Sequence, residues 1–494
     1  MELTLSVQPD AETYRSLACQ WPLVPVWTEL LADAATPVGV FSAVAGSGPG
    51  VVLESVERSE RWGRYSFVAG EPVAVVTIDA AGVRVEQGPR PLPFDPTGLP
   101  PTALSALEAI AARLRAPRLP ELPPLTGGLV GYLSYEAAGL LDGSPYPQGG
   151  EGPAAAPMCF LVVDRAVIFD HWRQRMLLVV HGSAAQGYEQ SVDALYGLLQ
   201  QVSAAAPLPQ LAVAVSEDAA EPECNVDDAS FCAGVERVKR HIRAGDIFQA
   251  VLSRRLSVKT TTGSLPVYRR LRATNPAPYM FLLRMPGLDL AGSSPEPLVK
   301  VAGSRVLTRP IAGTRPRGRD PEEDARMERD LLADPKERAE HAMLVDLGRN
   351  DLGRVCRPGS VEVTELMTVE RFSRVMHIVS TVEGDLADGL SALDALAAAF
   401  PAGTVTGAPK RRAMEIIAAE EKTARGPYAG AAGYLTFAGD LDFCITIRTA
   451  VLDGEHVHVH AGAGIVADSD AGRELAETDA KAAGVLRAVS ARSP

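Results

Sequence analysis

Cysteine is scarce in this chain. Its 494 residues hold six, Cys19, Cys159, Cys224, Cys232, Cys356 and Cys444. None falls in a CxxC pair, which argues against structural zinc and a dense disulfide frame and fits a reducing, cytoplasmic setting. No apolar run is long enough to span a bilayer, so no membrane association is expected. The N-terminus MELTLSVQPDAETYRSL has no basic segment followed by an apolar one, so no signal peptide is expected either. Positive charge is in deficit, 48 Lys and Arg against 61 Asp and Glu, for a net charge of −13. That excludes the basic surface a nucleic-acid partner demands. Repeats of solenoid period are also missing.

What remains is an ordinary globular composition, 46% hydrophobic and 22% charged. The length exceeds one ordinary core, so two domains or one large composite domain are expected. Pro/Gly/Ala-rich stretches at 88–101, 143–157 and 203–210 punctuate the first half, and the last runs into acidic SEDAAEPEC at 216–224. The main boundary falls near 205–228, dividing a region 1–205 from a region 225–490.

β-Branched runs VVLESV, SFVAG, VAVVTID and FLVVDRAVIFD make the first half mainly strands. The second half mixes strands with capped helices. Asp320-Pro321 and Asp334-Pro335 each supply an N-cap followed by proline at the first helical position. Further helices are expected near Pro409 and over 470–489. LDFCITIRTAVL and HVHVHAGAGIV read as a hairpin turning at Asp453-Gly454. The unordered alternation predicts an α+β fold.

Several constellations carry chemistry. TRPIAGTRPRG at 308–318 is a rigid, arginine-rich turn that suggests a small-anion site around an inert Ala312. Two helices carry ExxE, placing Glu337 with Glu340 and Glu474 with Glu477 on single faces, with Lys481 one turn beyond. Such pairs either hold a hard cation such as Mg²⁺ or decorate solvated helix faces. PAGTVTGAPK precedes a helix start whose free N–H groups suit a carboxylate. His456, His458 and His460 alternate along a strand, spreading their rings over about 13 Å. That is too far for one zinc ion and predicts a solvated hairpin face. Arg448 sits in an apolar strand, and His377 is a lone histidine in another.

In this order, DIFQAVLSRR, SSPEPLVKV, RPIAGTRPRG, LLADPKERAEHAMLVDLGRNDLGRV, PAGTVTGAPK, GPYAGAAGY, DFCITIRTA and HAGAGIVADSD…ELAET closely resemble the chorismate-utilising enzymes. LES at 53–55, GRYSFVAG at 63–70 and NPAPYM at 275–280 resemble the anthranilate synthase component I branch of that family. The resemblance implies two packed antiparallel β-sheets flanked by helices, with the active site between them. It implies Mg²⁺ held by Glu340 and Glu477 with Glu337 and Glu474 outside them, gripping the ring carboxylate of chorismate. Tyr428, Arg448 and the Gly462-Ala463-Gly464 backbone match groups that hold substrate carboxylates. Gly313, Thr314 and Thr404 line the same pocket, and Lys481 stands beside the metal. Glu296 matches the acid that protonates the leaving hydroxyl, and His377 a histidine implicated in loss of pyruvate. Ser55 with Pro278, Tyr279 and Met280 matches a tryptophan-feedback pocket.

Ala312 then acquires a meaning. Aminodeoxychorismate synthases have PIKGT, whose lysine attacks the ring. Isochorismate and salicylate synthases have a lysine base where this chain has Gln249, and a neutral amide cannot serve as that base. Both departures select ammonia as nucleophile and anthranilate, with pyruvate, as product. No nucleophile-elbow cysteine is present, so a separate glutaminase subunit is implied. The rival readings are an aminodeoxychorismate synthase component and a non-catalytic tryptophan-sensing subunit.

Overall fold

The computed structural model describes residues 5–55, 63–142, 155–211, 221–371 and 375–490. Most of the acidic stretch at 216–224 and of the proline-rich stretch at 143–157 lies outside the described residues. The rest forms two antiparallel sheets. One runs Leu23–Leu31, Arg175–Ser183, Arg165–Asp170, Tyr65–Gly70, Gly50–Glu54, Tyr279–Met285, Leu288–Ser294, Thr449–Leu452, His456–Ile465, Gln249–Lys259. The other runs Ile311–Pro316, Val375–Asp385, Arg305–Thr308, Pro297–Ala302, Leu441–Ile445, Ala431–Thr436, Gly128–Leu133, Met158–Val163, Ala74–Asp79, Gly82–Gln87. Both draw strands from either side of the 205–228 segment.

The layers follow from side-chain alternation with period two. In Tyr279–Met285, Phe281, Leu283 and Met285 enter a core between the sheets, where Val130, Leu161 and Cys444 of the other sheet meet them. Met280 and Leu282 point the opposite way, under helices that contribute Phe41, Leu195, Leu271 and Val485. Val76, Phe160 and Val299 of the second sheet pack beneath Leu107, Leu396 and Val345 of its own covering helices. The result is helices, sheet, sheet, helices, and each fully buried Leu or Phe contributes about 1.5–3 kcal/mol. No helix among the described residues is long and apolar enough to cross a membrane. All six cysteines are free.

Two runs expected as single strands are broken. FLVVDRAVIFD splits into Met158–Val163 and Arg165–Asp170, one in each sheet. Asp164 marks the crossing; its carboxylate accepts from Arg90 at 2.5 Å and its carbonyl from the His181 N–H at 2.8 Å. LDFCITIRTAVL likewise splits into Leu441–Ile445 and Thr449–Leu452. Arg448, placed in a strand from its apolar neighbours, instead lies in this crossing with φ +52°. That conformation costs a non-glycine residue roughly 1–3 kcal/mol. A third crossing, Pro295-Glu296, joins Leu288–Ser294 to Pro297–Ala302. The two crossings are stitched together: Ile445 N–H donates to Glu296 O at 3.0 Å, and Ser293 N–H to Arg448 O at 3.2 Å.

Candidate active site

A cleft of about 580 Å³ lies where these crossings meet the helices Pro335–Gly353 and Ala471–Ser490. Its size suits a small organic ligand. The first helix packs on the second sheet through Val345 and Leu352, the other on the first sheet through Val485 and Val489. Asp334 caps the former by accepting from the N–H groups of Lys336 and Glu337 at 3.0 and 3.3 Å. Glu337 thereby stands in the first turn, with Glu340 one turn on. Both line the cleft together with Glu474 and Glu477 of the facing helix.

These carboxylates repel one another. Burial, then Glu337 and Glu477, push the Glu340 carboxyl above its usual range. Burial and Glu477 do the same to Glu474. Lys481 Nζ donates to Glu477 Oε1 at 2.7 Å and to Gly462 O at 2.9 Å, offsetting part of the charge. Among the described residues, no three Asp, Glu, His or Cys side chains converge closely enough to enclose an ion unaided. Mg²⁺ takes only one or two protein carboxylates and fills its remaining positions with water or substrate oxygens. An excess of mutually repelling carboxylates facing an open cleft fits that ion, with Glu340 and Glu477 as the groups that would hold it.

The opposite wall carries Glu296, 9% exposed. Burial raises its pKa to about 8, with Thr404 and Lys481 acting in the other direction. At neutral pH it is a carboxylic acid, able to give up a proton. Gln249 is 4% exposed, and its Oε1 has no hydrogen-bond partner among the described residues. A buried acceptor left unsatisfied costs about 1–3 kcal/mol, so it is poised for a donor from a ligand.

The strand Ile311–Pro316 pairs with Val375–Asp385 through a bulge between Ala312 and Thr314. Gly313, at φ +66°, forms it, and a Cβ there would stand 2.9 Å from Leu331 Cδ1 and 3.1 Å from Glu337 Oε2. Ala312 lines the cleft at this bulge, beside Gly313 and Thr314. His377 Nδ1 lies 3.0 Å from Gly313 O and 3.1 Å from Thr314 Oγ1. The carbonyl can only accept, so the proton belongs on Nδ1 and Nε2 is the basic nitrogen.

The four arginines of the basic loop at 309–319 do not form the small-anion site expected of them. Arg309 pairs with Glu370, Arg315 with Asp330, Asp334 and Glu337, Arg317 with Asp324, and Arg319 with Glu323. Glu370 comes from the strand Glu362–Arg371 and the other acids from the next two helices; the partners of Arg315 lie 15 to 22 residues on, those of Arg317 and Arg319 only seven and four. Arg315 thus braces Glu337 rather than a ligand.

The third wall is glycine-lined. A Cβ on Gly462 would stand 2.6 Å from the Tyr428 hydroxyl, and one on Gly464 2.5 Å from Gln249 Nε2. Ala463 between them packs its methyl on the opposite face with Phe231 and Ile417; only its backbone faces the wall. Arg448 lines the cleft and donates to Lys481 O at 3.3 Å. His460 stacks on Tyr428 at 5.2 Å and 11°. It and His458 are buried, so the solvated hairpin face expected of HVHVH is wrong. His458 is bonded to Ser257 and Asp453 at 2.8 and 3.0 Å.

Sequence reasoning also missed Arg425. Fully buried, it donates to Glu421 at 2.7 and 2.8 Å, to Val405 O at 2.8 Å and to Val251 O at 2.7 Å. It thereby ties the segments carrying Gln249, Thr404 and Tyr428 to one another.

Ser55, Pro278, Tyr279 and Met280 lie outside the cleft. Met280 pairs with Glu54 across adjacent strands, which brings LES beside PYM. Ser55 Oγ is buried with no hydrogen-bond partner among the described residues, and Tyr279 donates to Asp442 at 3.0 Å.

Comparison with known proteins agrees with this geometry. The family model for chorismate binding enzymes matches residues 86–487. Anthranilate synthase component 1 of Streptomyces coelicolor is 47% identical over 499 residues, covering 99% of this chain and 93% of that protein. That of Mycolicibacterium smegmatis is 43% identical, covering 99% and 94%. The crystal structure of anthranilate synthase component I from Streptococcus pneumoniae TIGR4 superposes with a TM-score of 0.76 at 34% identity, covering 92% of this chain and 99% of that one. Matched along nearly its whole length, the chain belongs to the anthranilate synthase component 1 family of chorismate-binding enzymes.

Proposed function

We propose that the chain is the aminase subunit of an anthranilate synthase, a lyase that converts chorismate and ammonia to anthranilate and pyruvate. The observation that carries this reading is the pairing of a methyl group, Ala312, with an unsatisfied acceptor, Gln249 Oε1, on one cleft. Neither attacks a ring or deprotonates water. Together they leave room for ammonia and a carbonyl to accept one of its N–H groups. Ammonia adds to the ring carbon beside the one bearing the carboxylate, the two ring double bonds shift round the ring, and the ring hydroxyl leaves as water with the proton of Glu296. The added nitrogen sheds one proton to solvent. In the second stage a ring proton is removed, with His377 Nε2 as the base, and the ether C–O bond breaks, leaving an aromatic ring and enolpyruvate, which takes up a proton at carbon to become pyruvate. Arg448 and Tyr428 hold the substrate carboxylates with the backbone of residues 462–464, and Thr404, which favours the ionised form of Glu296, eases the release of its proton. Mg²⁺, when bound, neutralises the ring carboxylate. Ammonia comes from glutamine through a separate glutaminase subunit, since none of the six cysteines lies in a glutaminase nucleophile motif. The purified chain should therefore release anthranilate and pyruvate in equal amounts from chorismate, Mg²⁺ and ammonium, and neither from glutamine.

Ala312→Lys tests the nucleophile assignment. The longer side chain fills the space ammonia needs and brings an amine to the ring. Ammonium-dependent synthesis should fall at least ~tenfold, a barrier rise of about 1.4 kcal/mol. Mass spectrometry after incubation with chorismate would look for a covalent adduct. Unchanged synthesis would mean that position 312 does not face the reacting carbon.

Feedback by tryptophan is the second part of the reading. It is supported by the Ser55 hydroxyl, buried beside the Tyr279–Met285 strand and without a hydrogen-bond partner among the described residues. Asn275, which heads the same motif, donates to Ser293 Oγ at 3.1 Å, and Ser293 N–H donates to the Arg448 carbonyl. Ser55→Phe should relieve inhibition while leaving uninhibited turnover within about twofold, because Ser55 does not line the cleft. Inhibition at the parent's tryptophan concentration would remove Ser55 from the regulatory site.

A further inference from the structure

Phe248 is 71% exposed, yet the next residue, Gln249, is 4% exposed and lines the cleft. One Cα step of about 3.8 Å thus carries the chain from surface to active-site wall. Other large hydrophobics are exposed, but among the described residues Phe248 alone of them adjoins a cleft-lining residue. A single exposed phenyl ring needs no explanation; its surroundings do. The last turn of the helix Asp228–Arg243 presents Arg240, His241 and Arg243. The helix Lys410–Glu420 begins with three cations and has no acid in its first turn. Positive charge at a helix N-terminus opposes the macrodipole. Lys410 offsets this by pairing with Asp351 at 3.0 Å, and Arg412 with Asp246 at 3.3 Å and Glu415 at 2.9 Å. Exposed Arg411 has no ion-pair partner among the described residues, and the same holds for Arg240 and Arg243. The two helix ends are joined across the loop leading to Phe248: His241 Nδ1 and Arg412 both reach Asp246 Oδ2, and Phe248 N–H donates to Ala408 O at 2.7 Å.

On a chain of net charge −13, this corner is positive, with an aromatic ring at its centre. Aromatic and arginine side chains are the groups enriched at interface hot spots, and complementary charge orients the partner. We infer that the corner centred on Phe248 and Arg411 is where the glutamine amidotransferase subunit docks, through an apolar socket with an acidic rim. This rests on the ammonia-using reading of the cleft. A partner seated on Phe248 stands one residue from Gln249, the group that receives ammonia, so its product has a short path into the cleft.

The test uses the full chain and the separately purified glutaminase subunit. Phe248→Asp and Arg411→Glu should each raise the glutaminase concentration giving half-maximal glutamine-dependent anthranilate synthesis by at least ~tenfold. Ammonium-dependent synthesis, measured on the same samples, should stay within about twofold of the parent. Arg411→Glu serves if Phe248→Asp fails to fold. Unchanged glutaminase dependence in the folded variants would overturn the assignment, as would parallel loss of both activities, which would make the corner part of the cleft wall. Sedimentation of the chain alone offers a third check, since a dimer broken by these variants would make this a self-interface instead. Failure of the parent to use ammonium would strike at the proposed reaction rather than at the docking surface.

Discussion

Glu296→Gln should lower ammonium-dependent anthranilate synthesis by at least ~100-fold at neutral pH, the lower range of what a positioned acid contributes. The amide keeps the shape of the side chain and removes its proton. Because burial holds the carboxyl pKa near 8, the acid is protonated at pH 7 and ionises above 8. The parent's kcat/KM should therefore fall as pH rises through about 8, and the residual rate of the variant should lack that limb. Pre-steady-state mixing with chorismate would place the lost step before pyruvate release. A variant rate within about threefold of the parent would assign the proton to another group.

Glu340→Gln and Glu477→Gln should each cost more than ~100-fold in turnover, since loss of a group that merely supports a metal ligand already costs roughly 10–100-fold. Each change removes a negative charge facing the cation and the mutual repulsion that raises Glu340. The Mg²⁺ concentration for half-maximal rate should rise in both variants. Mn²⁺ used as a paramagnetic probe should bind them more weakly without any substrate present. Glu337→Gln should do less, because Arg315 already engages that carboxylate at 3.4 Å. Normal Mn²⁺ affinity in either of the first two variants would move the metal elsewhere.

Legibility in the sequence followed the range of the interactions. The helices beginning at Pro321 and Pro335 could be read because a capping aspartate acts within three residues; both Asp320 and Asp334 bond the predicted N–H groups. The Asp453-Gly454 hairpin is equally local. The crossings at Asp164 and at Thr446–Arg448 could not be read. Apolar residues continue straight through them, and only the neighbouring sheet decides where the chain leaves. Arg315 was misread for the same reason, because its acids lie 15 to 22 residues on, on helices that fold back over the strand; the acids of Arg317 and Arg319 are only seven and four residues away and were within local reach. His460 looked solvated because its partner, Tyr428, is 32 residues away in the sequence. The motif residues were legible through the family resemblance rather than through spacing: two ExxE pairs alone did not separate a metal site from two solvated faces.

The central claim is that this chain offers chorismate no nucleophile of its own and takes ammonia from outside. The most direct measurement gives the purified chain chorismate, Mg²⁺, ¹⁵N-labelled ammonium and unlabelled glutamine together, and weighs the product. The account predicts anthranilate carrying ¹⁵N in its amino group, one pyruvate per anthranilate, and no mass added to the protein. Unlabelled anthranilate, or an aminated product that accumulates without releasing pyruvate, would contradict it.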